Sequence, residues 1–223
     1  MTSQIRANLV TVSDPRSAAA EAYRSLRTNL SFSGLDAPIH TLVATTAAPQ
    51  DNKSIVISNL AVVLAQGGNR TLLVDCDLRR PALHEIFGLD NSAGLTTMML
   101  DESVMGNPPL QETEIENLQL LPSGPLPPSP ADLLGSQRMD AVISRLKESA
   151  DIVLLDAPPV MAVTDAAVLG SKVDGFLLVI SAGTTRREHA ERAKQMLEKV
   201  NIRIVGAVLD NAPADAVTGS YYG

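Results

Sequence analysis

IHTLVATTAAPQDNKSIVISNLAVVLAQ, residues 39–66, runs from an apolar strand-like segment through a short polar loop into a helical pattern. That order is the setting of a phosphate-binding loop, G-x-x-x-x-G-K-[ST], in which backbone N–H groups cradle phosphate, the lysine reaches the β/γ oxygens and the hydroxyl ligates Mg²⁺. Lys53 and Ser54 fall in the lysine and hydroxyl places, but Ala47 and Asn52 stand where the motif has glycine. Asn tolerates left-handed backbone better than most residues, so Asn52 is expected to keep such a turn. Gln50 is expected to crowd the closest approach of backbone to phosphate, and Asp51 adds negative charge beside it.

Outward from this stretch, apolar runs at 71–77, 117–124, 151–159, 174–181 and 202–211 join 39–45 as candidate strands. They are nearly continuous in Leu, Ile and Val, the pattern of strands buried on both faces of a parallel sheet. Segments 54–66, 131–149, 164–171 and 186–200 have helical composition between them. Together they predict a three-layer α/β fold with a mainly parallel central sheet, in one domain over 1–223. A further helix is expected over about 15–32, opening with Asp14 as cap and Pro15 in its first turn. The Pro- and Gly-rich stretch 101–130 reads as a surface loop, and about 214–223 as a tail.

Composition narrows the function. A net charge of −7 argues against broad binding to nucleic acid or anionic lipid, so an anionic ligand must be held by local geometry. The single cysteine, Cys76, excludes an internal disulfide and suits a reducing cytosol. No apolar run of membrane-spanning or signal-peptide length is present, so membrane contact is expected to need a partner.

Ligands of open α/β sheets collect beyond the carboxyl ends of the strands. Two candidate strands end there in aspartate: Asp75 and Asp77 from TLLVDCD, and Asp156 from DIVLLD. Three carboxylates converging near Lys53 suit Mg²⁺, which binds through one or two carboxylates plus water and phosphate. The plainer reading of each aspartate is a helix cap or turn. Arg79 and Arg80 follow within reach of phosphate or of an acidic substrate; taken singly, each is ordinary solvated surface.

Set side by side, these pieces resemble the bacterial tyrosine kinases built on a P-loop ATPase fold, which act in capsule and exopolysaccharide synthesis. The resemblance runs over nearly the whole chain. EAYRSLRTNL is similar to that family's E-x-x-R-x-x-R self-association helix, with Glu21, Arg24 and Arg27 in the motif places. LLVDCDLRRPALHEIFGL and DIVLLDAPPV resemble its second and third acidic motifs, and LPSGPLPPSPADLL its proline-rich loop and helix start.

The resemblance implies ATP and Mg²⁺ as cofactors. Pro49, Gln50, Asp51, Asn52, Lys53, Ser54 and Ile55 would form the nucleotide loop, Ser54, Asp77 and Asp156 would hold the metal, and Asp75 would orient or deprotonate the acceptor hydroxyl. Asp210 and Asn211 follow the last strand, where related ATPases place adenine contacts. It implies phosphorylation of Tyr221 and Tyr222 on a neighbouring copy, homo-oligomers through the N-terminal helix, and a membrane adaptor of the polysaccharide co-polymerase type. The chain would then be cytoplasmic and peripheral at the inner face of the plasma membrane.

Where relatives read P-G-E-G-K-S, residues 49–54 read PQDNKS, which weakens the expected turnover. Two other readings share the fold. A partition-type ATPase switch carries a signature lysine five residues before the catalytic one, where this chain has Ala48. A binding module that has lost catalysis is favoured by the missing glycines and disfavoured by retention of Lys53, Ser54, Asp75, Asp77 and Asp156.

Overall fold

Near-continuous apolar runs are best satisfied where both faces of a sheet are covered; all six runs become strands, five of them largely buried and the last, Ile204–Asp210, half-buried at the sheet edge. The computed structural model describes residues 9–35, 37–48 and 52–212. Pro49, Gln50 and Asp51 of the loop, and Tyr221 and Tyr222 of the tail, lie outside the described residues.

The strands are β1 (Thr41–Thr46), β2 (Thr71–Asp75), β3 (Gln111–Glu112), β4 (Leu118–Leu121), β5 (Ile152–Asp156), β6 (Gly175–Ser181) and β7 (Ile204–Asp210). They form a single sheet in the order β3-β4-β2-β5-β1-β6-β7. All pairs are parallel except β3 with β4. The expected α/β fold is therefore present, with β5 at its centre and β1 beside it.

The helices are α1 (Val10–Ser13), α2 (Ala18–Ser33), α3 (Lys53–Gln66), α4 (Leu83–Phe87), α5 (Leu95–Leu100), α6 (Pro130–Gly135), α7 (Gln137–Ser149), α8 (Asp165–Leu169) and α9 (Arg187–Lys199). Alternate strand residues feed two cores, as a two-residue period requires. Leu42, Ala44, Leu73 and Leu154 pack with α3, α4 and Leu30 of α2. Val43, Val74, Val153 and Leu155 pack with side chains of α5, α7, α8 and α9 on the opposite face.

Helix α3 is apolar almost all round, and its Val56, Ile57, Leu60, Ala61, Val63 and Leu64 are buried. Such a helix needs cover on its outer side too. α1 and α2 supply it, with Thr11 donating from both its backbone N–H and its hydroxyl to Asn59 Oδ1 at 3.0 and 2.8 Å.

Three local expectations are corrected. The N-terminal helix starts at Ala18, capped by Ser17, whose Oγ accepts from Ala20 N at 3.2 Å and donates to the Asp14 carbonyl. Asp14 and Pro15 thus form the turn before the helix. The segment 131–149 is two helices, because Ser136 adopts an extended conformation (φ −70°, ψ 158°) and its hydroxyl donates to the Leu133 carbonyl at 2.7 Å. Helices α1, α4 and α5 and strand β3 were not expected; each spans too few residues for a period to register. No helix among the described residues is long and apolar enough to cross a membrane.

Beyond the end of β4 the chain packs backbone against backbone: Leu95 N donates to the Pro122 carbonyl at 2.8 Å and Thr96 N to the Ser123 carbonyl at 2.9 Å. A Cβ at Gly94 would overlap the Pro122 carbonyl oxygen and lie 2.5 Å from Gly124 N. Gly94→Ala should therefore destabilise the protein by about 3 kcal/mol, read as a Tm lower by roughly 6 °C or more in thermal denaturation.

Candidate active site

Sheet register builds the site. Ala44 of β1 pairs with Asp156, and Asp75 at the end of β2 pairs with Asp156 at the end of β5. Two strand-terminal carboxylates thus lie side by side next to the strand that leads into the loop. Asp77 follows two residues beyond Asp75, and Lys53 opens α3 where the chain returns from β1.

The Lys53 ammonium sits between Asp156 Oδ1 at 2.9 Å and Asp77 Oδ2 at 3.0 Å, with Ser54 Oγ at 3.3 Å. Ser54 Oγ donates to the other Asp156 oxygen at 2.5 Å. Lys53, Asp77 and Asp156 are all buried. Burial alone would lower the lysine pKa, but the charges and hydrogen bonds of Asp156 and Asp77 outweigh it and hold the ammonium above its ordinary value. Burial pushes Asp156 upward against the pull of Lys53 and Ser54.

The oxygens around Lys53 come from a hydroxyl and two carboxylates, the hard donor set of Mg²⁺. An ammonium held by that set occupies the place of a hard cation. The residues fit the metal once the lysine turns toward phosphate. Among the described residues no three His, Cys, Asp or Glu side chains form a ready-made cage.

Asp75 does not face the acceptor side as expected. It is fully buried, and its oxygens accept backbone N–H groups, Oδ1 from Asp77 at 3.2 Å and Oδ2 from Ala82 and Leu83 at 3.0 Å each. Its pKa is raised, by burial first and by the Asp156 charge second, against the Leu83 hydrogen bond and Lys53. Asp75 therefore fixes the turn that carries Asp77 and the start of α4, the role of a cap. Asp77 in turn accepts the Arg80 N–H at 3.1 Å and the Arg79 N–H at 3.4 Å on Oδ1.

A cleft of about 360 Å³ opens over this cluster, lined by Lys53, Ser54, Asp77, Arg79, Arg80 and the apolar stretch Pro158, Pro159, Ala162 and Val163. Thr45 Oγ1 donates to the Pro158 carbonyl at 2.7 Å and ties that wall to β1. Arg79 makes a bidentate pair with the buried Asp165 at 2.9 and 3.0 Å. Asp165 was not expected as a site residue, although an aspartate opening a short apolar helix in TDAAVL is a legible helix-start signal.

Asn52 does not adopt the left-handed backbone expected of it. Its φ is −81° with ψ 37°, a region open to residues with side chains, so glycine is not required there. Its Nδ2 donates to Asp210 Oδ2 at 3.3 Å, which brings Asp210 to the start of α3. Asn211 turns instead to Ser181, its Nδ2 donating to Oγ at 3.1 Å. The Tyr23 phenol, raised by burial and by the Asp210 charge, extends this edge into α2. Ile55 packs its side chain toward the core, leaving only its backbone for the loop.

Comparison with known proteins bears on the same residues. Residues 52–214 match the ParA family model described as NUBPL iron-transfer P-loop NTPase. The tyrosine-protein kinase YwqD of Bacillus subtilis is 39% identical over 93% of this chain and 87% of its own length.

The chain belongs to the bacterial tyrosine-kinase family of P-loop NTPases. The solved chimerical protein CapA2B2 superposes with a TM-score of 0.88 at 33% identity, covering 93% of this chain and 91% of its own. The kinase domain of Escherichia coli ETK gives 0.85 at 33% identity, covering 96% and 84%. Membership in this kinase family supports nucleotide binding by the chain. Iron chemistry finds no thiol cluster here, since the one cysteine, Cys76, is buried.

Of the family's helix motif, Glu21 and Arg24 pair with each other at 2.7 Å. Arg24 also donates to the Pro15 carbonyl, and Arg27 to the Val63 carbonyl near the end of α3 at 2.8 Å. A Cβ at Gly67 would lie 2.7 Å from that guanidinium. Arg27 is thus engaged inside its own protomer.

Lys53→Met should expose the balance at this site. It leaves the buried Asp156 without its cation, a loss of about 3–5 kcal/mol at neutral pH. In the folded variant Asp156 keeps its proton to higher pH than in the unfolded chain. The penalty is then full above the raised value and fades as pH falls toward the ordinary carboxylate range near about 4. Thermal denaturation at pH 8, 6.5 and 5 should show the Tm gap to wild type narrowing stepwise.

Proposed function

We propose that this protein is an ATP-dependent tyrosine kinase that phosphorylates Tyr221 and Tyr222 on the tail of a second copy. On this reading it acts in capsule or exopolysaccharide synthesis, held at the inner face of the plasma membrane by an adaptor of the polysaccharide co-polymerase type. The observation that carries the chemistry is the ammonium of Lys53, set with Ser54, Asp77 and Asp156 at the start of α3 and at the mouth of the cleft.

When ATP enters, Lys53 exchanges its carboxylate partners for phosphate oxygens, and the free N–H groups at the start of α3 face the same anion. Ser54, Asp77 and Asp156 are the residues that would hold Mg²⁺, which when bound would neutralise phosphate charge. Asp75 positions Asp77 through the turn between them. The tyrosine phenol lies along the proline wall. The bond from the γ-phosphorus to the β,γ-bridging oxygen breaks as one to the phenol oxygen forms, ADP leaves, and the phenolic proton passes to water. Such a transfer depends mainly on positioning and charge neutralisation.

Reduced turnover remains a second reading, and the loop sequence favours it. The backbone of Asn52 removes one of its two grounds, leaving Gln50 as the residue that departs from glycine with consequence. Self-association through α2 also belongs to the proposal. Its exposed pair Glu21 and Arg24 is the natural probe, and replacing both by Ala should lower the assembled fraction in light scattering.

Purified protein with ATP and Mg²⁺ should gain phosphate in intact mass spectra. Lys53→Met and the Tyr221→Phe/Tyr222→Phe double variant should both lose the gain. Measurable ATP binding without any added phosphate, even with an adaptor peptide supplied, would overturn the kinase reading.

A further inference from the structure

Three cations line the cleft, and two of them are already neutralised. Lys53 lies between Asp77 and Asp156, and Arg79 is held in both arms of the buried Asp165. Arg80 is exposed; its backbone N–H is fixed by Asp77, and its guanidinium has no carboxylate partner among the described residues. The chain carries 25 acidic against 18 basic side chains, so this is no shortage of carboxylates. The one uncompensated charge of the cleft shares it with the apolar wall of Pro158, Pro159 and Val163.

ATP already has Lys53 and the start of α3 for its phosphates, which leaves Arg80 for the acceptor. A planar guanidinium binds phosphate bidentately, and a phosphotyrosine brings a charge of about −1.5 to −2. The tail supplies such a group beside an acceptor. Tyr221 and Tyr222 are adjacent, and residues 217–220, VTGS, hold no acid, so the first phosphorylation creates the anion nearest to the next acceptor.

The geometry points to Arg80 as a recognition residue for an already phosphorylated tyrosine, which it holds while the adjoining tyrosine lies on the proline wall toward Lys53. The second transfer to a tail is then favoured over the first. This rests on the kinase reading above, but its binding step needs no turnover.

The test uses the full chain carrying Tyr221→Phe/Tyr222→Phe, without ATP, and fluorescein-labelled peptides of residues 214–223 with and without phosphate on Tyr222. In fluorescence anisotropy the phosphopeptide should bind about tenfold tighter than the plain peptide. Arg80→Gln should erase that preference, Arg80→Lys should keep part of it, and ATP affinity should be the same in all three. Inorganic phosphate at the peptide's concentration should not displace it. Equal binding of the two peptides by Arg80-containing protein would overturn the inference, as would equal loss of both on Arg80→Gln, a fall in ATP affinity, or displacement by free phosphate. Absence of phosphate transfer in the intact-mass experiment removes the kinase reading alone, since the peptide result is obtained without it.

Discussion

A buried ammonium between two aspartates is the interaction on which the rest of this protein depends. Taking Lys53, Asp77 and Asp156 out of water is costly, and only close, hydrogen-bonded geometry offsets it. The fold supplies that geometry from three directions. β5 delivers Asp156 in register with Asp75, the turn after β2 delivers Asp77, and α3 delivers Lys53 in its first turn. Helix α3 stays in place because nearly every side of it is buried, so the charged end is aimed by an apolar body.

The arrangement also accounts for how an acidic chain can receive an anion. Its net charge of −7 repels phosphate at a distance, and the remedy is local. Near the cleft, Asp77 and Asp156 neutralise Lys53 and Asp165 neutralises Arg79; on the proposed reading Asp77 and Asp156 would turn to a hard cation. Charge is exchanged there between fixed partners, which keeps reorganisation small.

Much of this was legible in the sequence. The six main strands announce themselves as continuous Leu, Ile and Val runs, and β2, β5 and β7 end in aspartate where ligands gather. Lys53 and Ser54 stand out by their place between a strand and a helix. What stayed hidden was set by contacts distant in sequence. Nothing in DCDLRRPALHE says that Asp75 turns inward to cap α4 while Asp77 turns outward, because a two-residue spacing suggests one side of an extended strand and the strand stops at Asp75. Asn52 was misread for a similar reason. A letter in a motif does not carry its dihedral angles, and the contact that constrains its side chain, Asp210, is 158 residues away.

Arg27 links the self-association motif to the interior. Its guanidinium meets the carbonyl end of α3, the negative end of the helix whose other end carries Lys53, and Gly67 leaves it room to do so. α3 is therefore a strut gripped at both ends, by aspartates at one and by the N-terminal helix at the other. Altering Arg27 would loosen the strut within a single copy, so any change in self-association on its substitution would report on the seating of α3 as well as on the proposed surface between copies.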